Sequence, residues 1–445
     1  MTVSYPRLAA RTLRFSLGIP RNLTIAPDGS AVRFIRTPDG VTRSGQLWQF
    51  DVATGGESLL VDPAELLGGR GEELSAHERA RRERSRESAG GLVSYDVDDS
   101  GKFACFVLSG RLFVLDLQTR QTQELAVADS VIDPKFAPTG DQIAYATASG
   151  ELRLVSLAGV DRLLAAPETD TQVWGRAEFI AAEEMDRFVG FWWAPDGKSL
   201  LAQRYDDADV QTWFIADPAN PATPANPQRY PAAGTTNSDV TLWHLDLDGD
   251  RTEISWDRTN FEYLARVNWS TEADPIIQVL SRDQKQSHVL RVDPASGQTQ
   301  VVRELSDDAW VELSAAPRMF DGQLITVEDV DRWRQVCVDG RPLSGPRQQV
   351  RSIVAVDETG VLATVSTEPT EVQLVRFGFD GSVEAVTTGR AIHSAVAGHG
   401  CLVVSRNELA STDTTITVVT AAKSQEIRSL AEPAPFTPAV EFVQL

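Results

Sequence analysis

Two acids stand side by side at Glu183 and Glu184, and five arginines crowd the stretch from Arg79 to Arg86. A tandem carboxylate offers several acceptor lone pairs and suits a cation, while a guanidinium stays charged, presents several donors and suits a carbonyl. Each pattern also has an ordinary reading. Adjacent acids on a helix are usually a solvated face, and arginines so spaced pair with neighbours such as Glu78, Glu83 and Glu87. A third acidic run, Asp246-Leu247-Asp248-Gly249-Asp250, resembles the start of a calcium loop. Its sixth position is Arg251 instead of glycine and its twelfth is Asp257 instead of glutamate, so it reads as a polar turn between strands.

Nucleophilic chemistry has no visible home. No Gly-x-Ser-x-Gly elbow occurs, and the five histidines, His77, His244, His288, His393 and His399, show no triad partner pattern. The three cysteines, Cys105, Cys337 and Cys401, are far apart, forming neither a disulfide framework nor a metal cluster. No metal and no cofactor is expected. The net charge of −21 argues against a nucleic-acid partner, because such binding needs basic surface to displace counterions. No run approaches the roughly 20 apolar residues that span a bilayer, so no membrane partner is expected. Met1–Asn22 has scattered arginines and no continuous apolar stretch, unlike a secretory signal. A cytoplasmic protein is expected.

The elements that must position these residues are strands. Short β-branched runs such as Ala31–Ile35, Arg111–Leu115 and Thr414–Val419 are bounded by Gly, Asp and Pro. The turn signals repeat: Ala26-Pro27-Asp28-Gly29, Asp98–Gly101, Ala137-Pro138-Thr139-Gly140 and Ala194-Pro195-Asp196-Gly197. Degenerate versions follow at Ser270–Ala273, Asp321-Gly322, Asp357–Gly360 and Ala397–Gly400. Uninterrupted units are about 40 residues long, the length of a four-stranded propeller blade. One blade cannot cover its own apolar faces, and stacking blades around a ring does. The fold class is therefore all-β, an eight-bladed β-propeller over residues 1–445, with seven blades as the alternative because the later repeats are blurred.

Three insertions break the period. The first, about 63–90, holds a charged helix over Glu72–Glu87. The second, about 168–190, holds a helix over Ala177–Phe188. The third, about 217–240, has five prolines and reads as an extended arm.

The second insertion carries a longer string, Glu183-Glu184-Met185-Asp186-Arg187-Phe188-Val189-Gly190-Phe191-Trp192-Trp193-Ala194-Pro195-Asp196. Together with Arg204–Val210, Arg229–Asn237, Phe261–Arg266 with Trp269, and Arg82–Arg86 followed by Gly91–Asp96, it resembles the dipeptidyl peptidase IV family of serine peptidases. Its cytosolic and bacterial branches are the nearest. The resemblance runs from about Glu72 and fades after Arg266.

That resemblance implies a division of labour. Glu183 and Glu184 match the family's paired glutamate, which binds a peptide's free α-amino group. Arg86, by alignment back from Ser94-Tyr95-Asp96, matches the arginine that meets the substrate carbonyl region; Arg82 and Arg84 are close alternatives. The chemistry agrees: charge-assisted bonds hold an ammonium strongly, and fixing it at a set distance from a nucleophile selects the second peptide bond. The arm matches a segment that helps form a homodimer. Trp192 and Trp193 read as packing residues.

The expected function is thus a substrate-gating domain of a serine dipeptidyl peptidase that releases Xaa-Pro or Xaa-Ala dipeptides. The parent protein would be the enzyme, and this chain alone would not be catalytic. The expected partners are peptides with a free N-terminus and an α/β-hydrolase domain lying beyond this chain. Residues 433–445 read as the start of the linker to it, and the chain as a truncated piece of a longer protein. A stand-alone propeller used as an interaction scaffold is the alternative.

Overall fold

The computed structural model describes residues 4–84, 86–270 and 273–443. It contains eight sheets that follow one another in chain order, each built on an antiparallel path of four strands, with a fifth short strand added in the first and fourth. This is the eight-bladed β-propeller fold, with eight blades, not seven.

The repeated turn signals take the same place in every blade, between its first and second strands. Gly29, Gly101, Gly140 and Gly197 each donate to the carbonyl three residues back, at 2.8, 2.8, 2.8 and 2.9 Å. All four have φ between +69° and +74°. A turn ending on a left-handed residue favours glycine, which lacks the Cβ that would collide there. The signal at Ser270–Ala273 includes Thr271 and Glu272, which lie outside the described residues.

Second strands form the core. Ala31–Arg36, Ile276–Leu280 and Gly360–Ser366 are buried at every position. A strand covered on both faces reads as a continuous apolar run instead of an alternation. Fourth strands are outermost and largely exposed, as in Val383–Ala385.

The chain divides into two compact units: residues 1–124 with 323–445, and residues 125–322. In the first, Val32, Phe34 and Phe50 of the first blade pack on Cys401, Val403 and Ile416 of the last. Buried Arg36 donates to Arg428 O at 2.6 Å and pairs with Glu57 at 2.8 Å. Leu430 N donates to Gly18 O at 2.9 Å, and a Cβ on Gly18 would meet Leu430 C at 2.3 Å. In the second unit, Ala144 and Leu154 pack with Trp174, Phe191 and Leu200, and Leu201 and Leu242 with Leu264 and Ile277.

The insertions are shorter as helices than the sequence suggests. The first forms a helix over Ala76–Arg84, because Glu72 is drawn off to pair with Arg82. The second forms Phe179–Glu184, beginning on Glu178 and ending where Asp186 turns left-handed at φ +51°. The arm is a hairpin, Thr212–Ile215 paired with Asn226–Arg229. Asp246 Oδ1 accepts the backbone N–H groups of Asp248, Gly249 and Asp250 at 2.9–3.0 Å, which makes that acidic run a hairpin turn. No helix among the described residues is long and apolar enough to cross a membrane.

Candidate functional site

The Glu183–Glu184 insertion interrupts the first strand of the fourth blade. Gln172–Trp174 and Phe191–Trp193 both pair with the same neighbour, Ser199–Asp206. The excursion between them is pinched shut at its neck. Gly175 N donates to Gln203 O at 2.9 Å, and Gln203 N donates to Gly190 O at 2.8 Å. Gly190 lies so close to Arg176 that a Cβ there would sit 2.3–2.5 Å from its backbone. No side chain fits that crossing.

A buried ion pair holds the helix itself. Glu178 and Arg187 are 4% and 5% exposed in their side chains and meet at 3.1 Å. Glu178 also caps the helix by accepting from Ala181 N at 3.2 Å, and accepts from Gln203 Nε2 at 2.7 Å. Arg187 donates further to Leu264 O at 3.1 Å and Val189 O at 2.9 Å. Burial draws the Arg187 guanidinium below its ordinary pKa, and the Glu178 carboxylate pulls the other way. A charge so enclosed is tolerable only when paired and hydrogen-bonded.

Met185 anchors the end of the helix against Tyr263, Ala265 and Leu280. Arg266 donates to its carbonyl and to Ala265 O. Burial, and then the charge of Arg187, lower the Arg266 pKa. Phe179 at the other end meets Tyr230 edge-on at 5.1 Å. This scaffold leaves Glu183 and Glu184 exposed at the last turn. Two carboxylates on a fixed, six-residue helix can grip a cation without first ordering a loop.

The arginine-rich helix lies in the other compact unit. Arg82 is buried there and committed: it meets Glu72 at 2.7 Å and Glu78 at 2.8 Å. Arg81 also pairs with Glu78, at 2.7 Å. Glu72 accepts from Gly91 N at 2.9 Å, and Gly90–Gly91 runs parallel to Ser44–Gly45, which ties the helix to the first blade. Arg82 therefore fastens the helix.

Arg86 follows the helix, exposed, at φ +54°. Arg86 N donates to Glu83 O at 3.1 Å and Glu87 N to Arg82 O at 2.8 Å. These two bonds close a helix through a left-handed residue, a place where glycine is usual. Ser85 lies outside the described residues.

Sequence reasoning gave no role to Glu178, Arg187 or Gln203, which do the positioning; Glu178 and Arg187 stood only as letters of a longer string. Trp192 and Trp193 pack in the two blade clusters, and Trp193 Nε1 donates to Lys135 O at 3.2 Å.

Comparison with known proteins bears on this geometry. The family model described as "Dipeptidyl peptidase IV (DPP IV) N-terminal region" matches residues 93–397. Dipeptidyl peptidase 8 of Homo sapiens is 27% identical over 262 residues, covering 49% of this chain and 29% of its own length. Venom dipeptidyl peptidase 4 of Apis mellifera is 21% identical over 333 residues, 71% of this chain and 41% of its own. Inactive dipeptidyl peptidase 10 of Rattus norvegicus is 22% identical over 297 residues, 63% of this chain and 35% of its own. The chain thus spans between 29% and 41% of the length of these relatives. The crystal structure of Porphyromonas gingivalis dipeptidyl peptidase 4 superposes with a TM-score of 0.76 at 16% identity, over 97% of this chain and 62% of that one, a likeness of fold.

Proposed function

Because this chain belongs to the family of dipeptidyl peptidase IV N-terminal regions, we propose that it grips the free amino end of a peptide and presents it to a hydrolase. The observation that carries this reading is the exposed Glu183–Glu184 pair on a helix fastened by a buried ion pair. An ammonium group brings three donors and one positive charge, and two neighbouring carboxylates offer it several acceptors and opposite charge. Arg86 would meet the peptide's backbone carbonyl region. The substrates would be short peptides with Pro or Ala second.

The nucleophile would come from an α/β-hydrolase domain, so this chain alone should release no Gly-Pro from a chromogenic substrate. Family membership does not by itself decide catalysis, since one relative is named inactive. The exposed Trp213, Phe214 and Ile215 of the arm would serve a homodimer contact. Cys105, Cys337 and Cys401 are buried and form no disulfide among the described residues, which suits a reducing, cytoplasmic setting.

Calorimetric titration of a Gly-Pro-type peptide amide into wild type and into Glu184→Gln tests the reading. Removing one carboxylate should weaken binding about 10–100-fold. Equal affinity in both proteins, or binding to neither, would leave an interaction scaffold as the better account.

A further inference from the structure

Within the first compact unit a second feature concerns anions, not cations. A cavity of about 430 Å³ is lined by Leu13, Arg14, Leu17, Arg21, Arg86 and Glu87 among others. Three guanidinium groups against one carboxylate leave two unbalanced positive charges there, in a chain whose net charge is −21. Arg21 pairs with Glu87 through Nη1, while its Nη2 is enclosed and has no hydrogen-bond partner. Arg14 and Arg86 are exposed, and neither has an ion-pair partner among the described residues. The larger cavity at the root of the arm, about 690 Å³, differs. Its two arginines are paired internally, Arg258 with Asp239 at 2.7 Å and Arg282 with Glu262 at 3.3 Å.

The backbone adds a second observation. Leu13, Arg14 and Phe15 run left-handed at φ +47°, +60° and +64°, and Arg86 is left-handed as well. The first turn is held by Thr12 Oγ1, which accepts from Phe15 N at 3.0 Å, and by Arg14 N, which donates to Ala9 O at 2.6 Å. Glycine would take such positions without steric cost. Both free arginines of the cavity therefore occupy positions where the fold alone would favour another residue.

We infer that this cavity receives a peptide carboxylate, held by Arg14 and Arg86 with Arg21 Nη2 supplying a further donor. A guanidinium matches a carboxylate through two parallel N–H donors, and enclosure strengthens such bonds. The carboxylate is either the peptide's C-terminus or the side chain of an aspartate or glutamate. That the ligand is a peptide rests on the function proposed above; that the cavity wants an anion rests on its own lining.

The test uses N-acetylated peptides, which lack the ammonium that Glu183 and Glu184 would hold. Acetyl-Gly-Pro-Gly with a free carboxylate, its C-terminal amide, and an amide with glutamate in the last position are titrated into the whole chain. The first or the third should bind at least about tenfold more tightly than the plain amide, and which one does so identifies the source of the carboxylate. Arg14→Gln and Arg86→Gly should each lower that affinity about tenfold, with no fall in the thermal midpoint to blame. Equal affinity for all three peptides, or no binding of any, would overturn the inference. A free-amine peptide amide whose binding is lost in Glu184→Gln upholds the ammonium site whichever way the acetylated set turns out.

Discussion

The two helical insertions meet one requirement with the same kind of pair, a buried arginine held by glutamate. In the arginine-rich insertion a buried cation, Arg82, is fastened by Glu72 and Glu78. In the Glu–Glu insertion Glu178 and the cation Arg187 are both enclosed. Exposed charge of opposite sign then sits at the end of each helix: Arg86 just beyond one, Glu183 and Glu184 in the last turn of the other. The fastenings differ in depth. Glu72 and Glu78 are each about a tenth exposed, and Glu78 shares its carboxylate with Arg81. Among the described residues Arg187 has one carboxylate partner, Glu178, beside backbone carbonyls and the Trp192 ring. A buried cation with one counter-charge is more easily stranded by a single substitution than one with several.

The largest effect should follow from breaking the deeper pair. Glu178→Ala strands a buried guanidinium and should cost about 3–5 kcal/mol of stability by urea denaturation. A loss under about 1 kcal/mol would mean that water reaches Arg187 and that the two mounts are alike. Arg82→Ala should cost less, about 2 kcal/mol, because Glu78 keeps Arg81 and both acids can turn toward solvent. Hydrogen exchange should localise that loss to residues 72–91. A drop as large as that of Glu178→Ala would erase the distinction.

Smaller effects separate the mounts from what they carry. Glu184→Gln should change stability by no more than about 0.5 kcal/mol, since the side chain is exposed. Its effect should appear in peptide binding alone. Arg86→Gly should raise stability slightly, about 0.5 kcal/mol, by relieving a left-handed arginine against the entropy that glycine adds to the unfolded chain. A protein that gains stability while losing peptide affinity could not be explained by misfolding.

Much of the propeller could be read from local chemistry. The Pro-Asp-Gly type of turn recurs because each blade must reverse direction between the same two strands, and only a left-handed glycine does so cheaply. Short β-branched runs such as Ala31–Ile35, Arg111–Leu115 and Thr414–Val419 marked inner strands of their blades. The later blades were blurred because turns such as Asp321-Gly322 and Ala397–Gly400 keep the glycine and lose the proline. Helix ends were misjudged because burial sets them: Met185 is drawn into a cluster with Tyr263 and Leu280, which propensity does not register.

The sequence by itself determined which residues offer charge, and that a repeated strand unit would carry them on insertions. The tertiary structure alone decided which charges are available. Arg82 and Arg86 are the same residue type four positions apart, yet one is walled in by Glu72 and Glu78 and the other stands in the open. Glu178 and Glu184 differ in the same way. Burial depends on what folds back against a side chain from distant parts of the chain, and a charge surrounded by partners is mortar, while the same charge facing solvent remains free to meet a ligand.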